Sequence, residues 1–369
     1  MARKASESRC VWHSGVLTAV IVAVLAITGG AVGESLANVP VPRKGKLISM
    51  RKYAIDVDRL LLSRDHWPDV DENVHVAASK LAATFISSKL DATLAAFLEA
   101  SAAATASRWG QVVAYAKQHA FWSLQRYLGW SWTDASAFME MAKLHVASEE
   151  QLRRLLLGHE IAAGSVEANP VRLLDIGAGA GLVTDSLAAS LNITDRTNVV
   201  CVENSGALRT ILKKRGYKVV APDEFYGGRL SSEKFAAVAL LNLLDRCDEP
   251  VALLNKALGM LAPGGLLFIA TVLPFNAIVH EGQLGSKWGK SSWRLPRSPI
   301  TFRSILIRSK KSAFEIKLAI FLEAIHRHHP HLDLMSWTRL PYVSSGDTVR
   351  THFALDSALM VFRQPYSDW

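Results

Sequence analysis

Leu173-Leu174-Asp175-Ile176-Gly177-Ala178-Gly179-Ala180-Gly181 reads as a short strand, an acid set within it, and a glycine-rich turn that opens a helix. Apolar residues flank Asp175 on both sides, as a parallel strand buried on both faces requires. Glycines let the backbone turn tightly and approach a ligand closely. Here they fall at 177, 179 and 181, and position 182 is Leu. A dinucleotide loop wants G-x-G-x-x-G. The observed G-x-G-x-G spacing instead favours the (D/E)-x-G-x-G-x-G loop that binds S-adenosylmethionine (SAM). Taken alone, the motif is also compatible with a plain tight turn.

Outward from this turn, strand and helix alternate, the pattern of a parallel sheet. The expected strands are 171–176, 198–202, 217–220, 235–241 and 266–272. Helices are expected over 181–190, 205–215 and 250–261, the last stopped by Pro263-Gly264-Gly265. A further helix over 313–326 precedes two strands, 335–339 and 359–363, expected to pair antiparallel.

In open α/β sheets, ligands lie outside the carboxyl ends of the strands. Three strand ends collect polar residues in an apolar setting. Asp175 stands beside the glycine turn. Glu203 ends the second strand, 28 residues on. A carboxylate there suits the paired hydroxyls of a ribose, because it accepts two hydrogen bonds. That acid also occurs in nicotinamide enzymes, so the glycine spacing must discriminate. Asn242 ends the fourth strand, where the cofactor's methyl would sit and a carboxamide could orient a nucleophilic nitrogen. The Pro-Gly-Gly turn before a buried fifth strand adds to the case for SAM. The expected fold class is α/β: a class I SAM-dependent methyltransferase, Rossmann-like, with a mostly parallel seven-stranded sheet and an N-terminal helical extension.

Composition sets outer bounds. The 369 residues allow one large or two ordinary domains, and the net charge of +9 selects no partner by itself. Three cysteines build no disulfide framework, and no CxxC or HExxH spacing signals a metal. No nucleic-acid partner is expected, since no aromatic-interleaved basic patch is present. A basic start (Arg3, Lys4, Arg9), an apolar run from Gly15 to Ile27 and small residues to Gly33 describe a signal peptide over 1–33. The alternative is a retained signal anchor with membrane association. Either gives a secretory or endoplasmic-reticulum address, lumenal or membrane-anchored, in which the sequon Asn192-Ile193-Thr194 would be legible.

Residues 34–73 read as a linker, 74–160 as a helical region, and 161–369 as the methyltransferase domain. Helical spacing runs from His75 to Ile86, Asp91 to Ala106 and Trp109 to Tyr127. The tryptophans of this region read as packing between helices, with a lid or membrane-facing surface as the alternative. Ser148-Glu149-Glu150-Gln151 has the form of a capping box ahead of a helix that ends at Gly158. His326-Arg327-His328-His329-Pro330-His331 reads as a polar helix end, although it contains H-x-H twice and invites the question of automethylation.

More specific words lie beyond the glycine turn. Leu241-Asn242-Leu243-Leu244-Asp245-Arg246-Cys247-Asp248-Glu249-Pro250 resembles the L-N-L-L-D-R-C-D-x-P signature of the DREV family (methyltransferase-like protein nine). Val272-Leu273-Pro274-Phe275, Thr338-Arg339-Leu340-Pro341-Tyr342 with Gly346-Asp347, and the helix from Ser148 to Leu156 are similar to further segments of that family. The resemblance covers about 140 to 363. It implies a protein-L-histidine N-pros-methyltransferase acting on His-x-His segments of protein substrates. Carried over by residue, it implies that Asp175, Gly177, Gly179, Gly181 and Glu203 hold SAM. It also implies that Asn242 and Tyr342 stand at both cofactor and imidazole. Asp245 is carried over as a further catalytic residue, and Arg246 and Arg339 as substrate-binding ones. Two segments depart from the pattern: a basic stretch over 284–311, and Thr348 to Phe353 after Gly-Asp. The rival readings are a methyltransferase of a small molecule or lipid, a nucleic-acid methyltransferase, and a non-catalytic SAM-fold scaffold at a membrane.

Overall fold

The computed structural model describes residues 81, 83–86, 92–106, 108–128, 130, 132–139, 143–157, 170–247, 249–275, 314–345 and 352–365. Residues 1–33, the linker, the basic stretch 284–311, Gly158 and 346–351 lie outside these.

Eight strands form one sheet: β1 (Leu144–His145), β2 (Leu173–Ile176), β3 (Val199–Val202), β4 (Lys218–Val220), β5 (Phe235–Leu241), β6 (Leu261–Val272), β7 (Asp333–Ser345) and β8 (His352–Arg363). Their order is β1-β7-β8-β6-β5-β2-β3-β4. The chain steps outward from β2 to β4, then returns to lay β5 on the other side of β2. Strands β2 to β6 run parallel, and β8 and β7 close the sheet antiparallel. The expected seven-stranded core is present. The eighth strand is the two-residue β1, which is too short to leave a periodic signal.

Side chains alternate between two cores. Leu174, Val200, Val238 and Ile269 face one, beneath helices α8 (Pro250–Gly259) and α9 (Phe314–His328). Leu173, Val199, Ala237 and Phe268 face the other, beneath α4 (Glu149–Leu156), α5 (Leu182–Ser190) and α6 (Gly206–Lys214). Each such Leu or Val taken fully out of water contributes about 1.5–3 kcal/mol. Covering both faces explains why the central parallel strands β3 and β5 are uniformly apolar.

The capping box before α4 forms as expected: Ser148 Oγ accepts from Gln151 N at 3.2 Å, and Gln151 Oε1 accepts from Ser148 N at 3.0 Å. This helix stops at Leu156, two residues before Gly158, because Leu157 is already extended. An additional helix, α7 (Pro222–Tyr226), follows β4 with proline at its first position and Glu224 accepting from Ala221 N at 3.1 Å.

Two expectations at the sheet are corrected. Strand β6 begins at Leu261, not Leu266, and Pro263-Gly264-Gly265 lies inside it as a bulge. Phe235 pairs with Leu261, whereas Ala237 pairs with Leu266. A Cβ on Gly265 would stand 2.8 Å from the Ala262 carbonyl, so only glycine fits. The final hairpin is also far longer than its apolar clusters. Ser336 and Thr338 are buried polar residues within β7, and they hide its alternation.

The N-terminal region supplies α1 (Ala92–Ala106), α2 (Arg108–Leu128) and the short α3 (Trp132–Phe138). Trp122 and Trp130 pack against a small core around Ala120, Leu124 and Met139, the packing role expected of them. Further upstream, Trp337 Nε1 donates to the Leu81 carbonyl at 2.8 Å, fastening this region to β7. Among the described residues, no helix is long and apolar enough to cross a membrane.

Candidate active site

The reversal between β2 and β5 places a crevice at the carboxyl ends of β2, β3 and β5. Asp175 faces the α5 side of the sheet. Its carboxylate lies 2 % exposed and accepts from Thr184 Oγ1 at 2.6 Å. Burial pushes its pKa up to about 6, against the lowering effect of the Thr184 hydroxyl. Asp175 thus fastens strand to helix beneath the turn, and its described contact is with the protein. Thr184, its partner, carried no signal in the sequence.

The turn itself is held by backbone. Gly177 N donates to Val202 O at 2.8 Å, and Gly181 N to Ala178 O at 3.0 Å. A Cβ on Gly181 would meet a Leu212 methyl at 2.9 Å, which would have to shift, and its φ of 79° lies in the left-handed region that favours glycine. Gly179 differs. Nothing lies within 4 Å of where its Cβ would be, and its N–H donates to Glu203 Oε2 at 2.9 Å. The other oxygen, Glu203 Oε1, accepts from Ser205 N at 2.8 Å. The amides of Gly179 and Ser205 therefore grip the carboxylate from both oxygens, which together offer about four lone-pair sites. Burial raises its pKa, while these amides and Arg209 oppose the rise. Ser205, which caps α6, is a site residue that sequence reading missed; a serine just ahead of a periodic helix was its signal.

Asn242 follows β5 directly. Its backbone sits at φ 51°, the left-handed region, and its N–H donates to Ala270 O at 2.8 Å. The side chain is buried at 6 % exposure, yet neither Nδ2 nor Oδ1 has a partner in the described protein. A strained backbone and an unsatisfied buried carboxamide are both costly, and both concentrate where a ligand completes the structure. Asp245, in the 3-10 turn Leu244–Arg246, likewise has an unpartnered Oδ1 and a pKa raised by burial. Arg246 Nη2 donates to Tyr342 Oη at 3.2 Å, so the fifth-strand end and β7 meet at this pair.

Arg339 stands elsewhere. It alternates to the opposite face of β7 from Tyr342. Its guanidinium makes two bonds to Asp356, at 2.8 and 2.6 Å, and lies over the Phe314 ring at 4.4 Å. Those contacts describe a cross-strand clamp. The histidine run is, as read, the exposed last turn of α9 and the loop behind it, with His329 half-buried. Among the described residues, no group of three or more His, Cys, Asp or Glu is placed to hold a metal.

The DREV methyltransferase family matches residues 71–364, most of the sequence. The chain belongs to the DREV methyltransferase family. The strand order above is the α/β sheet of the class I SAM-dependent methyltransferase fold. Curated relatives are more distant. The ubiquinone biosynthesis O-methyltransferase of Xanthomonas axonopodis pv. citri is 27 % identical over 117 residues, 31 % of this chain and 48 % of that protein. The enzyme of the same name from Histophilus somni is 24 % identical over 107 residues, 27 % of this chain and 44 % of that protein. The DREV chain thus spans just under half the length of the curated relatives it matches. Among solved structures, the N-methyltransferase NodS from Bradyrhizobium japonicum with S-adenosyl-L-homocysteine is 17 % identical, covering 59 % of this chain and 85 % of its own at a TM-score of 0.31.

SAM fits the residues present. The open space over Gly179 leaves room for a ligand against the turn, and the unpartnered amide of Asn242 awaits a polar group. Gly177 to Gly181 would line its path, and Glu203 would receive the ribose hydroxyls. When bound, SAM supplies a sulfonium-activated methyl group.

Proposed function

We propose that this DREV methyltransferase methylates protein histidine, at the pros nitrogen of His-x-His segments, in the secretory pathway. The observation that carries the reading is the pair Asn242 and Asp245. Asn242 is buried and Asp245 partly so, and both carry buried polar atoms without a partner, on one loop at the end of β5. Their types suit an imidazole. A neutral ring has one N–H donor and one lone pair, and its unperturbed pKa of about 6.5 keeps it largely neutral near pH 7. No strong base is required. The chain must choose the tautomer and aim the lone pair.

In this proposal Asp245 accepts the N–H of the non-reacting nitrogen. Asn242 donates and accepts beside the methyl donor, and Tyr342, fixed by Arg246, closes the pocket. With SAM bound, Asn242 and Asp245 would aim the target nitrogen's lone pair at its methyl group, and the N–H proton of the other ring nitrogen would pass by way of Asp245 to water. Alignment of this kind can lower a barrier by about 7–11 kcal/mol.

The test is a His-x-His peptide incubated with SAM and the protein, read by mass spectrometry with fragment assignment of the methylated nitrogen. Pros-methylhistidine, lost in Asn242→Ala, supports the reading. Methylation of a phenolic small molecule or a lipid, with the peptide untouched, overturns it.

A further inference from the structure

One side chain of the N-terminal helical layer reaches into the cofactor's support. Asp134 lies in the first turn of α3, and α3 packs against α6. Its Oδ1 accepts from Ser205 Oγ at 2.5 Å and stands 3.4 Å from the amide of Ala207. Ser205 is the cap of α6, and its Oγ accepts from Leu208 N at 3.2 Å. A serine hydroxyl has one proton and two lone pairs. Giving the proton to Asp134 turns a lone pair toward Leu208 and fixes the rotor. The backbone N–H of the same serine donates to Glu203 Oε1 at 2.8 Å, and Gly179 N holds Oε2 at 2.9 Å.

A continuous path therefore runs from Asp134 through Ser205 to Glu203 and the glycine turn. Its links are buried: Ser205 is 4 % exposed and Glu203 7 %. The carboxylate of Asp134 also sits at the N-terminus of α6, where the helix dipole favours an anion. Removing it frees the Ser205 hydroxyl to rotate, loosens the first turn of α6, and with it the aim of the Ser205 amide on Glu203 Oε1.

We propose that Asp134 is a positioning residue for the cofactor: through Ser205 it holds the Glu203 carboxylate in the orientation that receives the ribose hydroxyls of SAM. The proposal rests on the reading of Glu203 as the ribose acceptor. It gives the N-terminal helical layer a part in cofactor affinity, and it leaves the choice of methyl acceptor to the Asn242–Tyr342 side of the site.

The test is calorimetric titration of the full chain with S-adenosylhomocysteine and with its 2′,3′-dideoxyribose analogue. Loss of one well-placed hydrogen bond predicts that Asp134→Ala weakens S-adenosylhomocysteine about three- to ten-fold. The analogue's affinity should be unchanged, since it has no hydroxyls for Glu203 to receive. Asp134→Asn should recover most of the loss, because its carboxamide oxygen still accepts from Ser205. Ser205→Ala should show the same selective loss, and it stands in if Asp134→Ala does not fold. Equal weakening of both ligands, or of neither, overturns the proposal. Glu203→Ala is the control: if it fails to distinguish the two ligands, the ribose reading and this proposal fall together. If it distinguishes them and Asp134→Ala does not, this proposal alone falls.

Discussion

Arg246 Nη2 donates to the Tyr342 hydroxyl at 3.2 Å, and the guanidinium carbon stands 5.4 Å from the centre of the Tyr342 ring. These two residues are 96 positions apart. They join the loop after β5 to β7, the strand laid down last but one. Arg246 also lies beside Asp245, whose pKa it lowers against the rise caused by burial. The loop that carries Asn242 and Asp245 is thus braced from the far side of the sheet. Arg246→Ala and Tyr342→Phe should each destabilise the fold by about 1–2 kcal/mol. Because both remove the same contact, the double variant should lose less than their sum, by about 0.5–1.5 kcal/mol. Urea denaturation of the four proteins measures this, and strict additivity would mean that the contact contributes nothing.

The glycine turn separates packing from binding within five residues. At Gly181 a methyl collides with Leu212, so Gly181→Ala should cost about 2–4 kcal/mol, from overpacking and a positive φ together. Gly179→Ala meets no protein atom, so its stability cost should stop near the 1–2 kcal/mol of the left-handed backbone alone. Its methyl would instead stand in the space offered to the cofactor. S-adenosylhomocysteine should bind Gly179→Ala at least about ten-fold more weakly, a loss on the order of 1.4 kcal/mol. Thermal melts and calorimetry on the two variants decide the point, and unchanged affinity in Gly179→Ala would remove the cofactor from this spot.

Asp175 should shape how stability depends on pH in the ligand-free protein. Its folded pKa is raised from 3.8 to about 6. Between those values the folded chain holds more protons at this site than the unfolded chain does. Stability from this group therefore falls as pH rises from about 4 to 6 and is level above that. At about 1.4 kcal/mol per pH unit the drop is on the order of 3 kcal/mol. Asp175→Asn keeps an oxygen for the Thr184 hydroxyl and has no titrating proton, so this limb should flatten. Urea midpoints measured across pH 4 to 7 for both proteins provide the check, and parallel curves would refute the assignment.

Arg339 was expected at the substrate, and its surroundings predict a different phenotype. The Arg339 and Asp356 side chains are 18 % and 16 % exposed. Removing the arginine leaves a nearly buried carboxylate alone between β7 and β8. Arg339→Ala should cost about 2–4 kcal/mol in stability, slightly discounted for partial exposure. The KM for a peptide acceptor should remain near that of the parent. A raised KM with unchanged stability would restore the substrate role.

Much of this was legible in the chain because β2, β3 and β5 are buried on both faces and read as apolar runs, broken only by Asp175 in β2. Glu203 and Asn242 stood out as the first polar residues after such runs. The legibility fails where polar residues are buried for structural reasons. Ser336 donates to the Leu155 carbonyl at 2.7 Å, and Arg339 to Asp356, so β7 lacks the alternation that would have set its length. The partnership of Asp134 with Ser205 spans 71 residues, and no local pattern encodes it. Asp175 was legible as a turn residue, but only the position of Thr184 on α5 shows its carboxyl turned into the protein.

Asn242 should reveal a trade between stability and activity. Its φ of 51° suits glycine better than any branched residue, and its buried carboxamide has no partner in the described protein. Asn242→Gly would relieve the backbone and delete the unsatisfied amide. A site shaped for folding alone would gain by that change, by about 0.5–1 kcal/mol. The native chain keeps the asparagine, which makes sense if the amide's partners arrive with cofactor and acceptor. Asn242→Gly should therefore melt at or above the parent temperature while methyl transfer falls by about a hundred-fold or more, the scale of losing a preorganised polar group at a reacting centre. A melt and a single-turnover assay on the same preparation suffice. A variant that is both destabilised and fully active would mean that the amide serves the fold, and that the acceptor is aligned by other residues.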